Sequence, residues 1–195
     1  MLDYIKGEIV ELTPASTVIE AGNLGYFIHI SLNTYTALTG SENCKLYIYE
    51  AIREDAHLLF GFLDKREREL FLHLISVSGV GANTARMVLS SIPPAELENV
   101  IVTGNSAALK SVKGIGGKTA ERIIIDLKDK VKIAGEATPT IAFDPVSEET
   151  TREAVSALIM LGFNQAASVK VVTKIRKENP ELRIEQIIKN ALKML

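Results

Sequence analysis

Apolar residues change their period near position 63, and that change divides the chain. Between residues 4 and 63 they alternate in short runs. Ile5, Gly7 and Ile9 face one way against Lys6, Glu8 and Val10, the signature of a half-buried strand. The pattern predicts strands over 4–12, 17–21, 26–30, 45–52 and 57–63, with a turn at Gly22-Asn23-Leu24-Gly25 and a short helix near Thr34 to Leu38. Five short strands with one helical interlude predict a compact, mainly β barrel, with the five-stranded OB fold as its leading form. From residue 64 the spacing turns helical. Leu70, Phe71, Leu74 and Ile75 define a helix over 65–77, and further helices follow over 82–90, 94–103, 106–112 and 118 to about 131. Residues 134–147 have no period, are rich in Ala, Gly, Thr, Pro and Glu, and contain Pro139 and Pro145, so they read as a flexible tether. Helices over 148–160, 165–177 and 184–195 then make a small three-helix module. The expected domains are 1–63, 64–133 and 148–195, with the tether 134–147 between the last two.

The helical region says one thing twice. Leu74, Val77, Gly79, Val80, Gly81, Thr84, Ala85 and Val88 recur 35 residues later as Leu109, Val112, Gly114, Ile115, Gly116, Thr119, Ala120 and Ile123. A single Gly-x-Gly is an ordinary helix stop, but eight matching positions at one shift are not explained by turn chemistry alone. Each copy is a helix end, a glycine-apolar-glycine hairpin and a second helix opening near Thr-Ala. The glycines permit positive φ in a tight turn and let another chain approach the backbone. At the start of the following helix, unpaired N–H groups and the positive dipole end form an anion site. This is the helix-hairpin-helix pattern of sequence-independent DNA binders, so Gly79, Val80, Gly81, Asn83, Gly114, Ile115, Gly116 and Gly117 are candidate phosphate-binding positions. Lys118 and Arg122 are four apart on one helix face and would add charge to a phosphate held by amides.

Composition excludes several classes. A chain of 195 residues with 47% apolar and 24% charged content is globular. Cys44 is the sole cysteine, which leaves no disulfide framework and no cysteine-built zinc or iron-sulfur site. His29, His57 and His73 are scattered and no Walker lysine motif is present, so no metal and no cofactor is expected. The N-terminus lacks the basic start and apolar run of a signal peptide, no segment is long and apolar enough to span a membrane, and a cytoplasmic location is expected. A net charge of −2 looks wrong for DNA binding, but it is unevenly spread: −5 over 1–62, +3 over 63–133 and 0 over 134–195. Tyr26, Phe27, Tyr47, Tyr49, Phe60 and Phe62 mostly occupy strand positions that a core would claim, which argues against base stacking on the barrel. Arg53-Glu54-Asp55 sits between the last two strands; most such acidic turns are simply solvated, but carboxylates next to a DNA site also repel phosphates and divert strands. In the last module Leu158, Leu161, Phe163 and Leu192 are candidates for an apolar face that meets a partner, because three short helices barely bury a core.

A barrel, a doubled hairpin, a tether and a three-helix, UBA-like module in this order resemble the RuvA family, the junction-recognition subunits of the bacterial branch migration machine. The resemblance covers essentially the whole chain. It rests on Gly25-Tyr26 with His29, Arg53-Glu54-Asp55-Ala56 before Leu59-Phe60-Gly61-Phe62, the two hairpins with Lys118-Thr119-Ala120-Glu121-Arg122, and Ala157-Leu158 with Leu161-Gly162-Phe163. It implies a four-fold homotetramer, or two tetramers face to face, holding four-way (Holliday) junction DNA open and square-planar. Glu54 and Asp55 would match the family's acidic pin at the crossover. The last module would dock on RuvB, the hexameric ATPase motor, and the resolvase RuvC would act on the same assembly. The chain itself would carry no catalysis. Asn83 and Gly117 depart from the pattern, occupying hairpin positions where family members often carry lysine.

Two other classes share the hairpins. A glycosylase or nuclease would need a base pocket or a metal-binding carboxylate cluster, and only Asp126 and Asp129 lie near the second hairpin. A general scaffold for duplex or single strands would show no preference for four-way junctions over linear DNA.

Overall fold

The computed structural model describes residues 1–131 and 145–195, the side chains of 145–149 excepted. The chain divides into two compact units, Met1–Glu136 and Ala137–Leu195.

In the first unit, strands β1 (Tyr4–Thr13), β2 (Ser16–Ala21), β3 (Leu24–Ile30), β4 (Asn43–Ile52) and β5 (His57–Phe62) close into a barrel in the order β1-β2-β3-β5-β4. All pairs are antiparallel except β3 with β5. The predicted OB-like barrel is therefore the observed one. A register shift between Ile9 and Glu11 turns Val10 and Glu11 both outward, so the alternation in β1 slips by one before Leu12 returns toward the interior. Ile5, Ile19, Ile28, Ile30, Leu46 and Ile48 fill the barrel, and Leu38 of helix α1 (Leu32–Leu38) joins them. The expectation that aromatic residues turn inward holds for Phe60 and Phe62 and fails for Phe27, which is 55% exposed and packs its edge on His29 (5.2 Å between ring centres).

Five helices follow the barrel: α2 (Lys65–Ser76), α3 (Ala82–Ser91), α4 (Pro94–Val102), α5 (Ser106–Lys110) and α6 (Gly117–Leu127). Phe60 and Phe62 continue their strand into the helical core, where Phe62 meets Phe71 at 4.8 Å and Tyr49 meets Phe71 at 5.2 Å. A buried carboxylate fixes the same junction. Glu67 on α2 accepts Ser31 Oγ (2.6 Å), Thr34 Oγ1 (2.9 Å) and the Leu63 N–H (3.0 Å), which fastens α1 and the end of β5 to α2. Arg66 binds Glu98 through two nitrogens, linking α2 to α4. Arg68 pairs with Asp3 at 2.7 Å and holds that carboxyl below its ordinary range. Arg86 donates to the Ala15 carbonyl at 2.8 Å, and burial lowers its pKa. The helix expected to run to about Val131 stops at Leu127; a turn follows, in which the Lys130 and Val131 N–H groups both donate to Leu127 O, at 3.0 and 2.9 Å. Val131 is buried, so the apolar period outlasts the helix that began it.

The second unit contains α7 (Pro145–Met160), α8 (Gln165–Glu178) and α9 (Ile184–Ala191), packed through Ala154, Leu158, Val172, Ile175, Ile187 and Ala191. The expected tether lies outside the described residues except for 145–147, which form the start of α7 rather than coil. Proline is excluded from a helix interior but its fixed φ suits the first turn, which is where Pro145 stands. No described helix is long and apolar enough to cross a membrane.

Candidate nucleic-acid interface

Both hairpins fold by the same local rules. In the first, the Val77 N–H donates to Leu74 O (3.1 Å), Val80 N–H to Val77 O (3.0 Å) and Ala85 N–H to Gly81 O (2.9 Å). In the second, Val112 donates to Leu109 (3.1 Å), Ile115 to Val112 (3.1 Å) and Ala120 to Gly116 (2.9 Å). Gly79 and Gly114 stand at the third place of each turn with φ of +92° and +91°, the type II pattern that excludes residues with a Cβ except at a conformational cost. Each repeated apolar side chain enters one continuous core, so the two loops are braced from beneath by the same buried cluster.

The other glycines are different. Gly81 and Gly116 have ordinary extended φ of −89° and −78°, and a Cβ on either would touch nothing. Nothing inside the protein demands glycine there. Both are helix N-caps, and neither α3 nor α6 receives a side-chain cap, whereas Ser31, Asp64, Asn105 and Asn164 cap α1, α2, α5 and α8. The result is two helix mouths with free first-turn N–H groups and a clear approach for another backbone.

The two mouths are neighbours. Arg122 on α6 donates from Nη1 to the Ser78 carbonyl of the first hairpin at 3.4 Å, so a side chain of the second copy reaches the loop of the first. Ser78, Gly79, Gly81, Asn83, Gly114, Gly116, Gly117, Lys118 and Arg122 are all exposed. Val80 and Ile115, expected among the contacts, are 5% and 6% exposed, and their N–H groups donate within the hairpins. Their part is to seat each loop on the core, because the apolar residue between two glycines turns inward.

Glu54 and Asp55 lie at the tip of a turn closed by Arg53 N–H to Ala56 O (2.8 Å), fully exposed, and among the described residues neither has an ion-pair partner. At the foot of this turn a cleft of about 390 Å³ separates Ile52 and Arg53 from Val80, Gly81 and Ala82 of the first hairpin. Acidic tip, first hairpin and second hairpin thus run side by side.

Two placements were not read from spacing. Lys110 at the end of α5 lies against Gly117, with its Nζ 3.5 Å from Glu121 Oε1. All three arginines of α2 and α3 have structural partners: Arg66, Arg68 and Arg86 are taken by Glu98, Asp3 and the Ala15 carbonyl. The free positive charge therefore gathers at the second hairpin. Among the described residues no group of His, Cys, Asp or Glu forms a metal-binding cluster.

In the second unit, the expected partner face needs correction at Leu158. That side chain is 0% exposed and belongs to the core, four residues from buried Ala154 on the same helical stripe. Phe163 packs partly against it, and its N–H closes the helix end on Leu158 O at 3.1 Å beyond Gly162 (φ +96°). Leu161 at 59% and Leu192 at 45% are exposed as expected, joined by Ile159, Met160, Val169 and Met194.

Three family models match successive parts of the chain. The RuvA N-terminal domain matches residues 1–61, a SAM-like helix-hairpin-helix tandem matches 71–129, and the RuvA C-terminal domain matches 150–195. Proteins described as Holliday junction branch migration complex subunit RuvA are similar along their entire length. That of Azobacteroides pseudotrichonymphae is 62% identical over 196 residues, that of Parabacteroides distasonis 59% over 196, and that of Bacteroides thetaiotaomicron 57% over 201, each with 100% of both chains covered. Identity of this degree over whole chains, with a RuvA domain matched at each end, makes this protein a member of the RuvA family.

Proposed function

We infer that this chain binds four-way junction DNA through its sugar-phosphate backbones, without reading bases, as the non-catalytic subunit of a branch migration complex. One observation carries this: two uncapped helix mouths, fronted by glycines that nothing within the protein requires, joined by Arg122 and bordered by an acidic tip. Amides and cations would hold the duplex arms, while Glu54 and Asp55 repel phosphates and part the strands where they cross. Four copies around a four-fold axis would present four such faces, so a modest charge on each multiplies into firm binding. The exposed apolar residues of the second unit, Leu161 and Leu192 among them, would dock on RuvB, whose ATP hydrolysis drives migration, and RuvC would cut the junction held open. The setting is the cytoplasm, during recombination and repair.

Gel-shift competition between a four-way junction and linear duplex of matched length tests the reading. Preference for the junction by at least tenfold is the expected result; equal affinity would leave a general DNA scaffold. In the same complexes, removing residues 145–195 leaves DNA affinity intact and ends stimulation of RuvB; unchanged stimulation refutes the docking role.

A further inference from the structure

The first turn of α6 is surrounded by charge of the wrong sign for an isolated helix. A helix N-terminus favours carboxylates and disfavours cations. Accordingly α2, α4 and α9 carry Glu67, Glu96 and Glu185 in their first turns, whereas α6 has no acid there and carries Lys118. Lys110 adds a second cation from outside the helix. A Cβ built on Gly117 would lie 3.3 Å from Lys110 Cε and 3.7 Å from its Nζ, so the lysine stem crosses the one bare position of that turn. Glu121 holds the ammonium at 3.5 Å, but both side chains are about half exposed and such a pair contributes little by itself. What makes this placement favourable is an anion at the mouth. The first hairpin has no such device: the positions 35 residues earlier are Ile75, Ala82 and Arg86, two apolar and one tied to the barrel.

We propose that Lys110 is a phosphate contact of the second hairpin, stored against Gly117 by Glu121, and that an incoming DNA phosphate takes the ammonium from the carboxylate. The inference rests on the DNA-binding reading above. No bond is made or broken; an intramolecular ion pair is exchanged for an intermolecular one, and Glu121 acts as an internal competitor.

Binding of the full-length protein to a four-way junction, measured against salt concentration, tests it with Lys110→Gln, Glu121→Gln and the double variant. Both positions are exposed, and Glu121→Gln preserves side-chain size. Lys110→Gln weakens binding about tenfold or more at low salt and lowers the slope of log affinity against log salt by about 0.9 for each subunit engaged on the junction, the value for one phosphate contact. Glu121→Gln tightens binding several-fold, and most of that gain disappears when Lys110 is also replaced. A Lys110→Gln variant with wild-type affinity and slope overturns the proposal, as does a Glu121→Gln gain that is the same with and without Lys110. Wild-type protein that binds no DNA refutes the underlying reading as well; wild-type binding with a silent Lys110 refutes this inference alone.

Discussion

The two hairpins are one backbone in two electrostatic settings. Their turn glycines differ by one degree in φ, their hydrogen bonds agree within about 0.1 Å, and their apolar residues share a core. Around the first stand Ala82, Asn83 and an Arg86 turned toward the barrel; around the second stand Lys110, Lys113, Lys118 and Arg122. The two copies therefore share one amide geometry while the charge around it differs. The first hairpin borders the foot of the acidic turn across a narrow cleft; the second carries the cations. Arg122 reaches from one to the other, so the division of labour is not complete.

Charge reversal gives the largest expected effect. Lys118→Glu with Arg122→Glu removes two charge-assisted contacts and adds repulsion, so junction affinity falls about 100-fold or more. Asn83→Glu at the first hairpin introduces one repulsion beside amides that remain, and the loss is about tenfold. Gel shifts at one salt concentration read both. Equal losses would break the proposed asymmetry.

The backbone should respond symmetrically where the charges do not. Gly79→Ala and Gly114→Ala place a Cβ that meets no atom, so the whole penalty is conformational, about 1–2 kcal/mol in each case for forcing an L residue to positive φ. Urea denaturation measures it. Penalties differing by more than about 1 kcal/mol would mean that the surroundings, not the turn, dictate these glycines.

Local features of this kind were legible in the sequence: alternation gave the strands, the 35-residue shift gave both hairpins, and the helix starts at Lys65, Ala82 and Pro94 fell where the helical spacing put them. What escaped was anything decided by a neighbour distant in sequence. Leu158 carries the same apolar label as Leu161, yet only packing against α8 and α9 shows which is inside. Val80 and Ile115 sit in a motif whose pattern points to DNA, yet the core beneath the loops draws their side chains inward. Phe27 follows a strand pattern, yet its face of the barrel is open. Counting charge by segment found the basic region but not its focus, because Arg66, Arg68 and Arg86 are bound to partners at least 32 residues away in the chain. Nothing in the helical spacing marks Glu67 as the buried tie between barrel and helices.

The smallest expected change tests the comparison most directly. Asn83 is exposed at the second residue of α3, the place that Lys118 holds in α6. Asn83→Lys would give the first hairpin the cation it lacks. Junction affinity should rise a few-fold or more at low salt and the salt slope should steepen by about 0.9 for each subunit engaged. Stability should move the other way, falling by about 0.3–1 kcal/mol in denaturant titrations, because a cation at a helix N-terminus opposes the dipole until an anion arrives. Opposite signs for binding and folding are the mark of a site built for a ligand rather than for the fold. If the variant lost stability and gained no affinity, the amides of the first hairpin would lie off the phosphate path, and the second copy alone would hold the DNA.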